Sequence, residues 1–426
     1  MRRGGGLLRQ RNFRLLWIGE TISQLGNAMA VVGVPLVAVI VLHASTFTIG
    51  VLTAAAWLPW LVIGLPAGAW VDRLPARRVM IVCDVVSALL YASVPVTAWA
   101  GVLTTGLVIG VQLGGGAASV LFMTAYQVYL PSLVTPGELI EGNTKMQGSA
   151  SAALFAGPGL AGLVAQLLGA VTALLCNAVS FLVSAVCLLG ARPRAAAPPA
   201  APRETTLRRE IGDGLLLVLR DPFLRQLSVF WAVANLALTG YTALVVVFLV
   251  RVIGLSPGAV GLLAAIPGVG GILGAAATGR ITARFGTARG LLLSTLAGVP
   301  FALLIPLTGS GPRLAFYVAG ALLTFAGVAV GNIIIAAFRQ SYSPPGMCGR
   351  VTATMRFLIF GTSPLGALLG GALGSWLGIR DALWILLGAA ALSGTLLLSR
   401  ALRGRRDLPD AAPEPRERVL RERASR

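Results

Sequence analysis

The sequence predicts an all-α membrane protein whose twelve transmembrane helices form two pseudo-symmetric six-helix bundles. Three observations support this fold class: long apolar stretches recur along almost the whole chain, basic residues fall on alternate loops, and a loop segment of the first half is repeated in the second. Of the 426 residues, 56% are hydrophobic and 12% are charged, whereas about a quarter of the residues in soluble domains are charged. No polar stretch is long enough to form a soluble catalytic domain.

Apolar stretches of transmembrane length begin close to the N-terminus and continue to about residue 400. A bilayer core about 30 Å thick needs roughly 20 apolar residues in one helix. The first stretch is longer than the apolar region of a signal peptide and no convincing cleavage site follows it, so we expect this span to be retained. The twelve predicted spans cover residues 13–42, 46–71, 79–100, 103–130, 143–168, 171–191, 223–250, 257–279, 290–309, 314–338, 352–377 and 382–400.

The basic residues are distributed unevenly, and the formal net charge is +19. When alternate loops are assigned to opposite sides, one side holds almost all of the arginines and the other holds only Arg251, Arg313 and Arg380. The positive-inside rule makes the arginine-rich side cytoplasmic and places both termini there. The charge therefore indicates topology in a cytoplasmic membrane, and we expect the lipid bilayer rather than nucleic acid as the partner.

A linker rich in alanine and proline follows Ala191 and separates the two predicted bundles. Its composition is typical of a flexible connector. Residues 207–219 have a polar and an apolar side, which suits either a helix on the membrane surface or a solvated helical linker. The predicted domains are a first bundle (1–191), a cytoplasmic linker with a surface helix (192–222), a second bundle (223–402) and a charged cytoplasmic tail (403–426).

A repeated loop supports this division into halves. Residues 68–78, between the second and third spans, align without gaps on residues 279–289, between the eighth and ninth. The second copy has Ala283 where the first has Asp72. Two parallel six-helix repeats around a central cavity are a recurrent architecture of transporters, so the repeat favours transport over catalysis.

The first copy of this loop resembles the signature loop of the major facilitator superfamily, which has a glycine, an aspartate-arginine pair and further basic residues at fixed spacing. The matching residues are Gly68, Asp72, Arg73, Arg77 and Arg78. The resemblance implies that Asp72 holds the two halves together at the cytoplasmic gate, with the three arginines around it. A carboxylate at a helix end beside arginines is expected to be ionised and paired.

Within the superfamily, the chain is similar to bacterial exporters of the enterobactin-exporter and macrolide-efflux kind. The similarity covers almost the whole chain and implies export of a small, partly hydrophobic molecule such as a drug, a macrolide or a siderophore. The segments that carry it are residues 130–134, 157–162, 177–181, 221–223, 339–340, 349–351 and 356–357.

Gly157, Pro158 and Gly162 in the fifth span also resemble a signature associated with antiport. A proline in mid-span removes a backbone hydrogen bond and bends the helix, and glycines let neighbouring helices approach closely. Ordinary helix packing is the alternative interpretation. The fourth span carries no arginine, so the basic motif found there in many proton-coupled drug exporters is absent and proton coupling stays open.

Glu20 is the main candidate for coupling, because ionisable groups inside a membrane are costly and mark functional sites by default. Ser23, Gln24 and Asn27 follow it at helical spacing and form one polar stripe, which we expect to face the central cavity. Glu20 either binds a proton or another cation, or makes a structural hydrogen bond. Asp84 in the third span is the second candidate, although pairing with a basic loop residue at the gate is favoured over coupling.

Further polar and aromatic residues are candidates for the cavity wall. Trp231, Asn235 and Thr239 recur every four residues, which places them on one helix face that we expect to lie opposite the polar stripe of the first span. Arg356 in the eleventh span belongs either to the gate or to the cavity, and its position near the cytoplasmic end favours the gate. The remaining candidates are Gln112, Tyr126, Asn332 and the pair Trp57 and Trp60.

Other function classes lack their usual residues. The four cysteines have no paired metal-ligand spacing, so we expect no metal site. The single lysine, Lys145, lies in no phosphate-binding loop, which disfavours ATP hydrolysis. The single histidine, His43, has no acidic partner nearby in sequence, which disfavours an enzyme. We expect a secondary-active exporter without a cofactor, working as a monomer by rocking of its two halves. The alternatives are an uptake symporter for a small nutrient and a non-transporting membrane sensor on the same fold.

Overall fold

The protein is mainly helical in the part of the chain that its computed structural model describes, namely residues 6–64, 66–71, 73–191, 215–343, 348–398 and 404–409. Eleven helices in these ranges are long and apolar enough to cross a membrane, and a twelfth apolar helix, Thr46–Val62, has 17 residues. This arrangement confirms the predicted all-α membrane fold.

The first half begins with a short 3₁₀ turn, Leu7–Arg9, and continues with seven α-helices. They are α1 (Arg11–Leu36), α2 (Thr46–Val62), α3 (Pro66–Val71), α4 (Ala76–Trp99), α5 (Thr105–Leu133), α6 (Leu139–Leu168) and α7 (Ala170–Gly190). The second half contains α8 (Pro222–Val247), α9 (Pro257–Phe285), α10 (Thr287–Leu293), α11 (Leu314–Tyr342), α12 (Cys348–Trp376) and α13 (Ile379–Ser393). Helical residues 215–220 precede α8, and the remainder of the predicted surface helix lies outside the described residues.

The second predicted span, residues 46–71, is divided into two helices. α2 ends at Val62 and α3 begins at Pro66. Proline has no backbone N–H to donate, and it disfavours the helical conformation in the residue before it. The local chemistry of Pro66 therefore interrupts an apolar stretch that hydropathy alone makes continuous.

The ninth span is irregular along most of its length. After α10 it continues as a π-helix, Ser294–Gly298, and then as a 3₁₀ helix, Val299–Leu307. Pro300 and Pro306 lie in the 3₁₀ part and cannot donate to an α-helical ladder. The corresponding third span, α4, is a continuous α-helix of 24 residues, so the two halves differ in the stiffness expected of this span.

The two halves otherwise repeat each other in register. A π-helical turn, Val37–Val41, extends α1, and a second one, Phe248–Val252, extends α8. The sequence separation between these two turns equals that between Gly68 and Gly279 in the repeated loop. Ser45 and Ser256, the residues that precede α2 and α9, have the same separation. The backbone therefore follows the repeat that the sequence predicts.

The halves meet along two helix pairs, α2 with α12 and α6 with α9. Both pairs come closest at the end of the molecule opposite the linker, which we call the far end; the end near residues 11, 190 and 222 is the linker end. One hydrophobic cluster at the far end includes residues of both halves, for example Leu36, Ile49, Leu244 and Val260. At the linker end each half has a cluster of its own, around Met80 in the first half and around Leu291 in the second.

Candidate transport cavity and gates

A cavity of about 630 Å³ lies between the halves, and the first half supplies most of its wall. Side chains of α1, α2, α4, α5 and α7 line it, whereas the second half contributes Thr242 of α8 and Phe360 of α12. The lining contains two carboxylates, Glu20 and Asp84, and no basic side chain among the described residues. The cavity is therefore both apolar and acidic.

The polar stripe of α1 faces this cavity. Glu20, Ser23, Gln24 and Asn27 all line it, because a spacing of three or four residues keeps side chains on one face of a helix. The Gln24 Nε2 atom donates a hydrogen bond of 2.8 Å to Glu20 Oε1. The other carboxylate oxygen, Oε2, is buried and has no hydrogen-bond partner among the described residues.

Asp84 of α4 lies on the same wall and is 1% exposed. Its carboxylate accepts a hydrogen bond from Ser184 of α7 and is near enough to Glu20 for the two charges to interact. The Asp84 Oδ2 atom is buried without a hydrogen-bond partner in the described chain. The structure thus places Asp84 in the cavity, whereas the sequence favoured a pairing with a basic loop residue.

Aromatic side chains line the cavity where α2 meets α12. The ring of Phe360 stacks on Trp57, with centroids 5.6 Å apart, and lies 5.3 Å from the nearest ring centroid of Trp60. On the opposite wall, the Tyr91 hydroxyl donates a hydrogen bond of 3.3 Å to Gln112 Oε1. Phe360 and Tyr91 are among the cavity residues that sequence reasoning missed, since an aromatic residue in an apolar span carries no distinguishing signal.

The second-half candidates do not face the Glu20 stripe. Trp231, Asn235 and Asn332 line a separate cavity of about 120 Å³ within the second half. The Asn235 amide nitrogen lies 2.9 Å from the Ile359 carbonyl oxygen and 2.9 Å from Ser363 Oγ. Asn235 therefore links α8 to α12. Polar side chains inside an apolar bundle commonly form such hydrogen bonds between helices.

The other predicted lining residues lie outside both cavities. Thr239 is buried, Arg356 is exposed, and Tyr126 packs against the first-half cluster at the linker end. A four-residue spacing selects a helix face, but only the packing of neighbouring helices decides what that face contacts.

The gate loop is described in part. Asp72 lies outside the described residues, while Arg73 and Arg78 are exposed. A Cβ atom built on Gly68 would meet no other atom within 4 Å. The Arg77 guanidinium donates to the carbonyl oxygens of Leu188 and Leu189, at 2.8 Å and 2.6 Å.

The contact of Arg77 caps the end of α7. The last four carbonyl groups of a helix have no partner within the helix, and basic side chains commonly bind them. Arg77 therefore joins the start of α4 to the end of α7 within the first half.

The glycines of the fifth-span signature are points of close helix contact. A Cβ atom on Gly162 would lie 2.5 Å from the Pro257 carbonyl oxygen and 2.6 Å from Gly261 Cα. Gly157 lies equally tightly against Ala28 of α1. α6 continues through Pro158 from Leu139 to Leu168, and the two glycines of the signature pack against α1 and against the other half.

A second glycine pair joins α2 to α12 at the far end. A Cβ atom on Gly50 would lie 2.7 Å from the Ala367 carbonyl oxygen and 2.8 Å from Gly371 Cα. Gly50 and Gly261 occupy equivalent positions of the repeat. The far end is thus sealed by two pseudo-symmetric contacts in which backbones touch.

Hydrogen bonds between the halves reinforce the far end. The Arg251 guanidinium donates to the Ala44 carbonyl oxygen at 2.7 Å. Gln166 Oε1 accepts a bond of 3.0 Å from the Gly258 amide. These bonds join loops and helix ends that belong to different halves.

Comparison with known proteins gives three findings. The sequence profile of the Major Facilitator Superfamily matches residues 16–362 and 247–425. The multidrug efflux pump Tap of Mycolicibacterium fortuitum is 28% identical over 366 residues, which cover 83% of this chain and 87% of that protein. The uncharacterised MFS-type transporter YfiS of Bacillus subtilis is 27% identical over 418 residues, covering 90% and 93% respectively.

Solved structures share the fold. The nucleoside transporter NupG (a single-substitution mutant) superimposes with a TM-score of 0.77 at 13% identity, covering 91% of this chain and 98% of that chain. A bacterial homologue of the iron transporter ferroportin, solved in an inward-facing state, gives a TM-score of 0.70 at 18% identity, covering 92% and 98%. Identities this low relate the folds alone.

Proposed function

Because the chain belongs to the Major Facilitator Superfamily, we propose that it is a secondary-active exporter that moves small amphiphilic cations out of a bacterial cell by alternating access. One observation carries the proposal: the cavity between the halves is apolar and aromatic, and its only described charges are the carboxylates Glu20 and Asp84. The site therefore suits a molecule that combines apolar surface with positive charge.

The unpaired carboxylate oxygens support a cationic substrate. Glu20 Oε2 and Asp84 Oδ2 are buried without hydrogen-bond partners in the described chain. A buried polar atom without a partner is costly, and a protonated amine would supply the missing donor. An anionic substrate would instead meet two like charges at low dielectric constant.

The aromatic wall supports the same substrate class. Trp57, Trp60 and Phe360 line one side of the cavity and contact each other. Ring faces attract cations and stack on flat aromatic groups. An amphiphilic cation with an aromatic group would satisfy the carboxylates and this wall together.

One observation supports export, and a second supports the orientation of the molecule in the membrane. The related protein Tap is named a multidrug efflux pump, which favours export of diverse compounds. The arginine-rich linker end is assigned to the cytoplasm by the positive-inside rule. In that orientation the far end is the outer gate, and the described conformation is closed to the outside.

Coupling to the proton gradient completes the proposal. Export against a gradient needs an energy source, and the two cavity carboxylates offer sites that either a proton or a cationic substrate can occupy. Glu20 is the leading coupling residue, since it projects from the polar stripe of α1 and its Oε2 atom is unpaired. Competition between proton and substrate for this pair would drive exchange.

The experiment compares accumulation of ethidium, a permanent aromatic cation, in efflux-deficient cells that express the wild type, Glu20→Gln or Asp84→Asn. We expect low accumulation with the wild type and at least a tenfold loss of efflux rate in each variant, because a buried charge that loses its partner is destabilised by roughly 3–5 kcal/mol. A protonophore should abolish efflux by the wild type.

Two controls make the result specific. Asp381→Asn removes an exposed acid at the start of α13, outside the cavity, and should leave efflux unchanged. Nile red, an uncharged aromatic dye, should be exported much more slowly than ethidium. Higher ethidium accumulation in wild-type cells would indicate uptake, and unchanged efflux in both acid variants would refute the cation site.

A further inference from the structure

Residues 405–408, which we call the tail clasp, lie against the second half at the linker end. The Arg406 carbonyl oxygen accepts hydrogen bonds from the amides of Ala288 and Arg289, at 3.0 Å and 3.3 Å. Asp407 Oδ1 accepts a bond of 2.8 Å from the Thr287 amide. In return, the Leu408 amide donates to Thr287 Oγ1 at 2.8 Å. The sequence assigned this segment to a charged tail.

These bonds cap the start of α10. The first amides of a helix have no partner within the helix, and a side-chain oxygen at the preceding residue usually accepts from them. Here the preceding residue is Gly286, with φ 86°, so it has no side chain to offer. The tail clasp supplies the acceptors instead, and the Asp407 carboxylate lies where the helix dipole favours negative charge.

Side-chain packing holds the tail clasp in place. Leu408 is 6% exposed and belongs to the same hydrophobic cluster as Ala288 and Leu291. The Arg405 guanidinium lies 5.6 Å from the ring centroid of Phe223 at the start of α8. The segment therefore contacts the seventh and ninth spans together.

The first half contains an equivalent contact at the same position of the repeat, made by a side-chain donor and not by backbone amides. Arg77 occupies the repeat position of Ala288, and it donates to the last carbonyl groups of α7. In the second half, the chain that follows the twelfth span accepts bonds from the first amides of the ninth. The start of the third span thus bonds to the end of the sixth span in the first half, and in the second half to the chain that follows it.

We propose that the tail clasp, with Asp407 as its key residue, is a positioning element that fixes the irregular ninth span so that the second half moves as one body during transport. The ninth span needs such a tie more than α4 does, because its π and 3₁₀ segments have weaker hydrogen-bond geometry than an α-helix. The effect on transport rests on the proposed function, whereas the effect on the helix start does not.

The first test measures hydrogen–deuterium exchange of the amides of residues 287–289 in purified protein. Asp407→Ala should accelerate exchange at these amides about tenfold, within the range expected for loss of a helix cap. Asp407→Asn keeps an acceptor oxygen and should restore most of the protection. Unchanged exchange in Asp407→Ala would overturn the proposal, whether or not the protein transports ethidium.

The second test separates positioning from substrate binding. Removal of residues 405–426 should lower the maximal rate of ethidium efflux about fivefold or more and leave the binding affinity of the purified protein for ethidium unchanged, because the clasp does not line the cavity. Removal of residues 410–426 is the matched control and should retain the rate. Equal losses in both truncations, or a change confined to affinity, would overturn the assignment to residues 405–408.

Discussion

The far end and the linker end of the molecule are built on different principles. At the far end one hydrophobic cluster crosses both halves, and backbones touch at Gly50 with Gly371 and at Gly162 with Gly261. At the linker end each half keeps a separate cluster and is tied within itself, by Arg77 in the first half and by the tail clasp in the second. The halves are thus joined at one end and individually stiffened at the other.

This difference shows how one chain can open at one end while staying sealed at the other. Backbone contact between small residues in a membrane depends on close van der Waals packing, which is lost abruptly when helices separate. The ties at the linker end do not cross between halves, so they can persist while the halves rock. This arrangement is consistent with the rigid-body alternating access that we propose.

The largest effect is expected from a bulky side chain in the far-end seal. Gly162→Leu places atoms where Pro257 O and Gly261 Cα already lie within 2.6 Å of a Cβ position, so α6 and α9 must separate. Overpacking typically costs about 1–3 kcal/mol, and we expect ethidium efflux to fall by more than tenfold. Hydrogen exchange at residues 258–261 should accelerate as the seal loosens.

Gly159→Leu is the matched control for this prediction. A Cβ atom at Gly159 would meet nothing within 4 Å, although the residue lies in the same helix only three positions away. Efflux should remain near the wild-type rate. Equal losses in the two variants would show that α6 tolerates no leucine in this turn. The loss in Gly162→Leu could then not be assigned to the contact between the halves.

A smaller effect is expected from removing a hydrogen bond between the halves. Arg251→Ala loses the bond to the Ala44 carbonyl oxygen, and a net loss of roughly 0.5–1.5 kcal/mol should accelerate amide exchange around residue 258 about threefold to tenfold. Arg380→Ala is the control, because Arg380 donates to Thr308 within the second half at the same end. If Arg380→Ala accelerated exchange as much, the contact between halves would not be the cause.

An effect of similar size is expected where α12 of the second half meets the cavity. Phe360→Ala removes the ring that contacts Trp57 and Trp60, and the purified protein should bind ethidium about threefold to tenfold more weakly, since an aromatic pair contributes roughly 0.5–1.5 kcal/mol. Phe316→Ala changes a phenylalanine that is 40% exposed and should leave affinity unaltered. Unchanged affinity in Phe360→Ala would remove the aromatic wall from the binding site.

The fold was predictable because membrane solvent imposes simple rules on sequence. Long apolar segments must be helices in a bilayer, since every backbone polar group needs an internal partner. The repeat between residues 68–78 and 279–289 predicted two similar bundles. The two π-helical turns have the same separation in sequence, so the backbone repeats in the same register. The break at Pro66 and the irregular ninth span were less evident, because hydropathy is insensitive to backbone hydrogen bonding.

The candidate site was predictable on one side only. Glu20, Gln24 and Asn27 share a helix face by spacing alone, and the structure places that face on the cavity. Asp84 joins them because α4 packs beside α7, where Ser184 binds its carboxylate. In the second half, Asn235 is instead hydrogen-bonded to α12. Spacing along one helix cannot predict this contact, because it depends on how α8 and α12 pack.

The amino-acid sequence by itself determined the class of the molecule: an all-α membrane protein of two repeated halves with an acidic first span. These properties depend on composition and on periodicity along single helices, which a linear chain displays directly. Only the tertiary structure decided which polar faces share a cavity, which glycines touch across the halves, and that residues 405–408 cap α10. Those contacts join residues that are far apart in sequence, and they form only when several helices pack together at fixed angles and depths.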